Sequence, residues 1–254
     1  MMNNIKDRLR VIKRRLRALK EGLRARVVRK IPSSEPTGGG RRSNLEVWKQ
    51  LQNSHYFENH PCYKGISEFG GQEAIEAIRW FLPIHSDMRV AVIGCGFGRE
   101  TLKLAPMVKE VYGIDVNHTI LDKAVVFLSE RGVGNFTPVL AETFAQTIPT
   151  DLDLVFSIVV MQHLTRDLVR HYFVELGRKL NTGGGFVVQF LDENTADYDG
   201  TDAPEHGGGE PSISWSHWQL VKLADLSGLK LVEIRTLLVT DAALWHWVYF
   251  RKEK

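Results

Sequence analysis

The sequence has only two cysteines, Cys62 and Cys95, among its 254 residues. Two cysteines exclude a disulfide framework and a four-cysteine zinc site, and such a low count is typical of a reducing compartment. Long apolar runs are also lacking, because no stretch approaches the roughly 20 residues of a membrane-spanning helix. The N-terminus is charged throughout, so we expect no secretory signal and a cytoplasmic location.

The overall composition is that of a globular protein. Hydrophobic residues make up 43% and charged residues 25%, which argues against disordered and collagen-like chains. A chain of this length can bury a core without disulfides or a structural metal.

Charge is distributed unevenly along the chain. Residues 1–31 contain twelve Lys or Arg and two acidic residues, a net charge of +10. Because the whole chain carries +3, the remainder carries −7. The isoelectric point near 8.8 therefore describes an acidic body with a basic arm. A broad positive face for nucleic acid is not expected on the body.

The basic arm has the spacing of an amphipathic helix. Its apolar positions recur every three or four residues, at Ile5, Leu9, Ile12, Leu16, Leu19 and Leu23. Three interpretations stay open: packing on the body or a neighbouring subunit, binding to an anionic membrane surface at the inner face, or contact with nucleic acid or an acidic protein. Residues 31–43 have a Pro, Ser and Gly linker composition. We therefore divide the chain into an appendage, 1–43, and a domain, 44–254.

Residues 44–254 alternate between helical and strand patterns. Helices are predicted near 45–53, 71–82, 99–109, 118–131, 166–180 and 215–226. Strands are predicted at Arg89–Gly94, Glu110–Asp115, Phe136–Leu140, Leu152–Ile158, Gly185–Leu191, Leu229–Leu237 and Leu244–Arg251. Short apolar strands between helices indicate a buried parallel sheet. The last two strands are too close in sequence for a crossover, so they should be antiparallel neighbours. The prediction is an α/β, Rossmann-like, doubly wound sheet of seven mostly parallel strands with one antiparallel strand.

Three glycines, Gly94, Gly96 and Gly98, follow the first strand and open a helix. Glycine permits a sharp turn and a close approach of a ligand to the backbone. The dinucleotide-binding fingerprint requires glycine at the sixth position of this loop. Arg99 stands there, so an NAD-type dehydrogenase is disfavoured. The Gly-Lys-Ser/Thr of a phosphate-binding loop is also missing.

The second strand ends in a carboxylate, Asp115, which lies 21 residues after Gly94. A carboxylate at this strand tip can accept hydrogen bonds from both hydroxyls of an adenosine ribose. Ligands of such sheets bind at the carboxyl ends of the strands, where both features fall. Together they predict a site for a cofactor that contains a nucleoside.

The chain resembles the class I S-adenosylmethionine-dependent methyltransferases in four stretches. Residues 92–98 resemble their glycine loop, 114–115 their ribose-binding tip, 153–164 their fourth strand and the following turn, and 180–185 the loop before their fifth strand. The resemblance covers residues 45–254 and implies S-adenosylmethionine as the cofactor. One departure is Val92, which stands where many relatives carry an acidic residue.

The resemblance also implies cofactor contacts at the matching positions. They run from the methionine end (Gln72, Gly94, Cys95, Gly96, Gly98) past the sulfonium (Ser157, Ile158) to the ribose (Asp115) and the adenine (Val116, Glu142).

Acceptor chemistry is expected after the fourth and fifth strands. Orientation of an acceptor can contribute roughly 7–11 kcal/mol, and a general base about 10²–10⁴-fold when the acceptor is oxygen. The candidates are His163, Asp192 and Glu193, with His206 a weaker one; the alternatives are packing for His163 and strand capping for the two acids. The polar segment 192–212 is expected to select the substrate. Since we see no cluster with metal-ligand spacing, no structural metal is predicted, while a catalytic or a metal role stays open for Asp192 and Glu193.

The predicted function is methyl transfer to an oxygen of a small-molecule or glycan acceptor, or of a lipid-linked one if the arm binds membranes. One alternative is an RNA or protein methyltransferase that uses the arm for phosphate contacts. Another is a methyltransferase-like binding module without turnover. The acceptor, the methylated atom and the oligomeric state stay open.

Overall fold

A computed structural model describes residues 44–53, 71–194, 212–238 and 244–253. The expected helix and linker of the basic arm, His206 and most of the segment 192–212 lie outside these residues.

The described residues form a single sheet with helices on both faces. Its strands are β1 (Arg89–Ile93), β2 (Glu110–Asp115), β3 (Phe136–Leu140), β4 (Leu152–Ser157), β5 (Leu180–Asp192), β6 (Ser214–Trp215), β7 (Lys230–Leu238) and β8 (Leu244–Arg251). The helices are α1 (Asn44–Asn53), α2 (Gln72–Arg79), α3 (Arg99–Leu104), α4 (His118–Ser129), α5 (Phe144–Thr147), α6 (Arg166–Lys179) and α7 (His217–Ser227). Short 3-10 turns cover Ala105–Met107 and Met161–His163.

The strand order is β3-β2-β1-β4-β5-β8-β7, and β8 runs antiparallel to both β5 and β7. The remaining pairs are parallel, so the predicted fold class is confirmed. Strands β2 and β4 lie on opposite sides of β1, so the order in which strands are added to the sheet reverses at β1. This reversal creates a crevice at the carboxyl ends of those strands.

An eighth strand, β6, was not predicted. It pairs with the end of β5 at Leu191 and Asp192, beyond the point where the pairing of β4 with β5 stops at Val188. Two residues are too few to show a periodic pattern, which is why the sequence indicated seven strands.

Both faces of the central strands are buried, as the apolar character of β1 predicts. Ala91 and Ile93 belong to the core under α6 and α7, and Val90 and Val92 belong to the core under α2 and α4. Burial on both sides explains why these strands show no polar alternation.

Helix α3 ends earlier than predicted, at Leu104. Pro106 follows in the 3-10 turn, and proline has no backbone N–H to continue an α-helix. None of the helices in the described ranges is long and apolar enough to cross a membrane.

Candidate active site

The loop after β1 turns through glycines in the left-handed region. Gly94, Gly96 and Gly98 have φ of 68°, 54° and 96°. A Cβ on Gly94 would lie 2.3 Å from Val160 Cγ2, and one on Gly98 would lie 2.9 Å from Leu128 Cδ1. A Cβ on Gly96 would meet no atom of the described residues within 4 Å. A side chain at Gly94 would thus overlap Val160, one at Gly98 would displace the end of the Leu128 side chain, and Gly96 has open space among the described residues.

A cavity lies at the carboxyl ends of β1, β2 and β4. Its floor is formed by the glycine loop, the tip of β2 and the turn after β4, and helix α1 covers it from the side. The lining includes Leu45, Trp48, Gln52, Ile93, Gly94, Cys95, Gly96, Phe97, Asp115, Val116, Ile158, Val159, Val160, His163, Leu164 and Tyr172.

Asp115 is buried at the tip of β2 and accepts three hydrogen bonds. Oδ2 accepts from the backbone N–H of Gly96, and Oδ1 accepts from the backbone N–H of Val116 and from Gln52 Nε2, each at 2.8 Å. Burial raises the pKa of Asp115, and these hydrogen bonds from Gly96, Gln52 and Val116 act in the opposite direction.

The Asp115 pocket still has acceptor capacity. An ionised carboxylate offers about four lone-pair positions, of which three are used. Gln52 Oε1 is also buried and has no hydrogen-bond partner among the described residues. A ligand with two neighbouring hydroxyl groups would satisfy both acceptors.

Cys95 lines the cavity as a protonated thiol. Its side chain is buried and makes a weak contact of 3.6 Å from Sγ to the Gly96 carbonyl oxygen. Burial raises the pKa of the Cys95 thiol, and the nearby Asp115 and Glu100 carboxylates raise it further. A nucleophilic thiolate is therefore disfavoured.

His163 stands in the wall of the same cavity, in the 3-10 turn after β4, and is only 9% exposed. Its Nε2 lies 3.1 Å from Gln162 Nε2. With the amide in this orientation the amide nitrogen donates, so His163 Nε2 accepts and the ring proton sits on Nδ1. The Trp48 ring meets the imidazole edge-on, with the ring centroids 4.8 Å apart.

The turn that carries His163 contains a residue that the sequence analysis did not single out. Val159 lines the cavity with φ of 57°, which is unusual for a β-branched residue. Its backbone N–H donates to Gln189 Oε1 at 3.1 Å, so a buried side chain of β5 holds this turn.

Four residues expected to contact the cofactor lie outside the cavity wall. Ser157 donates its hydroxyl to the Ile93 carbonyl oxygen at 3.0 Å, which joins β4 to β1. Gly98 caps α3. Gln72 is exposed at the start of α2. Glu142 is also exposed, and its carboxylate lies 3.5 Å from Lys49 Nζ. Their expected cofactor contacts stay predictions.

The two acidic candidates after β5 are also absent from this wall. Glu193 is exposed, whereas Asp192 is buried with Oδ2 2.7 Å from His246 Nε2. Burial lowers the pKa of His246, and the Asp192 carboxylate acts in the opposite direction. Neither Asp192 nor Glu193 lines the cavity that His163 lines, and their catalytic roles stay predictions.

Residues 90–184, which include most of β1, the glycine loop, Asp115 and His163, match a family described as a methyltransferase domain. Residues 90–184 therefore carry a methyltransferase domain, in agreement with the resemblance seen in the sequence. The enzyme is therefore a methyltransferase that uses S-adenosylmethionine.

Solved structures share the fold of this methyltransferase. The N-methyltransferase NodS from Bradyrhizobium japonicum, in complex with S-adenosylhomocysteine, is 17% identical, with 84% of this chain and 100% of that chain covered and a TM-score of 0.60. Magnesium protoporphyrin IX methyltransferase from Synechocystis, also with S-adenosylhomocysteine, is 15% identical, with 83% and 100% covered and a TM-score of 0.61. Phosphoethanolamine N-methyltransferase 2 from Haemonchus contortus is 15% identical, with 84% and 61% covered and a TM-score of 0.64. No curated protein matches the chain significantly.

The cavity of the methyltransferase fits its cofactor chemically. The open space at Gly96 lets the backbone approach a ligand. The buried Asp115 carboxylate and Gln52 Oε1, which has no partner within the described part of the chain, suit a ribose diol. Trp48 and Val116 offer apolar surface in the same cavity.

Proposed function

We propose that this methyltransferase transfers a methyl group to an oxygen atom of a small-molecule, glycan or lipid-linked acceptor. The observation that carries the proposal is the position of His163. It places a buried imidazole in the wall of the cavity that also contains Asp115 and the glycine loop. A hydroxyl acceptor must lose its proton during methylation, and a histidine is the side chain best suited to take it near neutral pH.

In this proposal different residues of the cavity bind different parts of the cofactor. Asp115 and Gln52 hold the ribose of the cofactor, and the backbone at Gly94–Gly96 lies beside its methionine portion. Val116 contacts the adenine, and Ile158 contributes to the floor. The proposal is confined to residues of the cavity wall, so it does not require Gln72 or Glu142.

The bound cofactor supplies an electrophilic methyl group on a sulfonium. The protein orients the acceptor and excludes water with the apolar side chains of Trp48, Val160 and Leu164. His163 takes the acceptor proton at Nε2, where the acceptor hydroxyl replaces the hydrogen bond from Gln162. The ring proton on Nδ1 keeps Nε2 as the basic atom.

Two observations support a small acceptor. The body outside the basic arm carries a net charge of −7, which does not favour a polyanionic substrate. The related structures include one bound to phosphomonomethylethanolamine and one named for magnesium protoporphyrin IX, both small molecules. The basic arm, residues 1–31, would hold the enzyme at an anionic membrane surface and bring it to lipid-linked acceptors.

Transfer of labelled methyl groups from S-adenosylmethionine to panels of acceptors tests the proposal. We expect incorporation into hydroxylated small molecules or glycans. Because two of the related structures are named N-methyltransferases, an amine panel is included, and incorporation there alone would contradict an oxygen acceptor. Incorporation only into RNA or protein would contradict a small acceptor. Binding of S-adenosylhomocysteine without any incorporation would favour a module without turnover.

The proposed binding of the basic arm to an anionic membrane has a separate test. The full-length protein and a version starting at residue 44 are compared by co-sedimentation with vesicles of anionic phospholipid. We expect only the full-length protein to sediment and its binding to weaken with salt. Equal sedimentation of both would remove the membrane role of the arm.

A further inference from the structure

Three side chains from separate elements meet outside the cofactor cavity. Asp192 ends β5, His246 lies in β8 directly opposite Phe190 of β5, and His217 is the first residue of α7. One ligand atom of each residue lies within 4.8 Å of those of the other two. The two imidazole rings have their centroids 4.8 Å apart.

One ring nitrogen of the buried histidine in this cluster, Nε2, lacks a hydrogen bond among the described residues. The His246 side chain is inaccessible to solvent, and its Nε2 lies 2.7 Å from Asp192 Oδ2. Despite this short distance, Nε2 has no hydrogen-bond partner among the described residues. The two atoms are therefore close without the alignment of a hydrogen bond.

The other nitrogen of the same ring explains this contact. His246 Nδ1 lies 2.8 Å from Thr236 Oγ1. When Nδ1 carries the ring proton and donates it to Thr236, Nε2 directs a lone pair towards the Asp192 carboxylate. Two acceptors at that distance repel each other unless a proton or a metal ion is shared between them. Histidine ligands of metals commonly donate their second ring N–H in this way, which fixes the ring and its tautomer.

We propose that Asp192, His217 and His246 bind one divalent transition-metal ion, of which Zn²⁺ is the representative. Two imidazoles and one carboxylate suit zinc and its neighbours, whereas magnesium and calcium prefer sets of oxygen ligands. His217 is exposed, so its ring has room to turn towards the ion. Three protein ligands leave a further position for water or for an oxygen atom of a substrate.

The site lies at the same edge of the sheet as the cofactor cavity. Asp192 is at the carboxyl end of β5, and His246 is near the amino end of the antiparallel β8. The short strand β6 leads into α7 and is tied to the turn of His163, because the Ile213 N–H donates to the Gln162 carbonyl oxygen at 2.8 Å. The proposed metal therefore belongs to the edge where acceptors of doubly wound folds bind.

Metal binding by the full-length protein tests this proposal without any measurement of methyl transfer. The protein is stripped with a chelator, dialysed against Zn²⁺ and analysed for bound metal, and Co²⁺ is used as a spectroscopic probe of the coordination. We expect one tightly bound Zn²⁺ per chain and a Co²⁺ absorption spectrum of nitrogen and oxygen ligands. His217→Ala and Asp192→Asn should weaken binding by at least about tenfold, and Thr236→Val by about 10–100-fold.

The matched control is His118→Ala. His118 is also exposed and is also the first residue of its helix, α4, but it lies outside the cluster. The His118→Ala variant should bind Zn²⁺ with the same affinity as the unaltered protein. His217→Ala removes an exposed side chain, so it should fold normally, and circular dichroism checks this. Less than one bound Zn²⁺ in the unaltered protein, or equal affinity in His217→Ala, would overturn the proposal and leave a buried aspartate–histidine pair.

Discussion

Gln52 Nε2 donates a hydrogen bond of 2.8 Å to Asp115 Oδ1 and so joins helix α1 to the tip of β2. Both side chains are buried, and both line the cavity. Trp48 of the same helix packs against His163. Helix α1 therefore contacts both the proposed ribose ligand, Asp115, and the proposed base. We infer that this helix completes the binding site.

The first prediction concerns Gln52. If Gln52 Oε1 accepts a ribose hydroxyl, Gln52→Leu should weaken binding of S-adenosylhomocysteine by about 0.5–1.5 kcal/mol, the usual contribution of one hydrogen bond. Isothermal titration calorimetry measures this. Gln50→Leu, an exposed glutamine on the same helix, is the matched control and should bind normally. Tighter binding in Gln52→Leu would instead mean that Gln52 competes with the ribose for Asp115.

Asp115 should make the larger contribution. Asp115→Ala is expected to weaken cofactor binding by about 1.5–3 kcal/mol, the range for hydrogen bonds to a charged group. Calorimetry at pH 7.5 with S-adenosylhomocysteine measures the loss. Unchanged affinity would mean that the ribose is held elsewhere.

Asp115 should also give cofactor binding a dependence on pH. Burial raises the pKa of Asp115, so this carboxylate takes up a proton at a higher pH than an exposed aspartate does. The affinity should be full above the raised pKa and fall as the pH decreases through it, because the protonated group accepts fewer hydrogen bonds. Titrations over a pH series, in the range where the protein stays folded, measure this. Asp115→Ala should lack the dependence, and an identical pH profile in that variant would assign it to another group.

The sheet and the tip of β2 were predictable from the sequence because their signals are local. A run of apolar residues that ends in glycines or an aspartate marks a buried strand and its carboxyl end, and Asp115 falls where that pattern places it. The reversed strand β8 was predictable because the connection from β7 is short.

The rest of the site depends on contacts between distant residues. Gln52 and Asp115 are 63 positions apart, and no periodic pattern in α1 indicates that it covers the cavity. The Ser157 hydroxyl donates to the Ile93 carbonyl oxygen within the sheet, a contact that no local pattern indicates, and its expected cofactor contact stays a prediction. The ligands of the proposed metal site come from three elements, so no short motif reveals them, and the expectation of no metal rested on the lack of such a motif.

Alanine substitutions at glycines can distinguish a loss of stability from a loss of cofactor binding. Gly96 and Gly132 both have positive φ, and a Cβ on either would meet no atom within 4 Å. Alanine at either position should therefore cost about 1–2 kcal/mol of unfolding free energy from backbone strain alone. Only Gly96 lines the cavity, so only Gly96→Ala should also weaken cofactor binding. Urea denaturation and calorimetry on both variants measure the two effects.

Gly94→Ala completes that comparison. Its Cβ would lie 2.3 Å from Val160 Cγ2, so steric overlap adds to the backbone strain and the loss of stability should exceed that of Gly132→Ala. Equal losses of unfolding free energy in these two variants would show that the turn after β4 shifts to accommodate the added Cβ. Normal cofactor affinity in Gly96→Ala would show that the ligand does not approach this part of the loop.

The last prediction separates a catalytic His163 from a packing one. If His163 takes the acceptor proton, His163→Gln should lower kcat by about 10²–10⁴-fold and leave the affinity for S-adenosylhomocysteine nearly unchanged. His171→Ala is the control, because His171 is exposed on α6 and contacts the Phe144 ring. A histidine that only packs against Trp48 would instead give a loss of stability and of cofactor affinity with a small change in kcat. Steady-state kinetics, calorimetry and urea denaturation of both variants decide between these results.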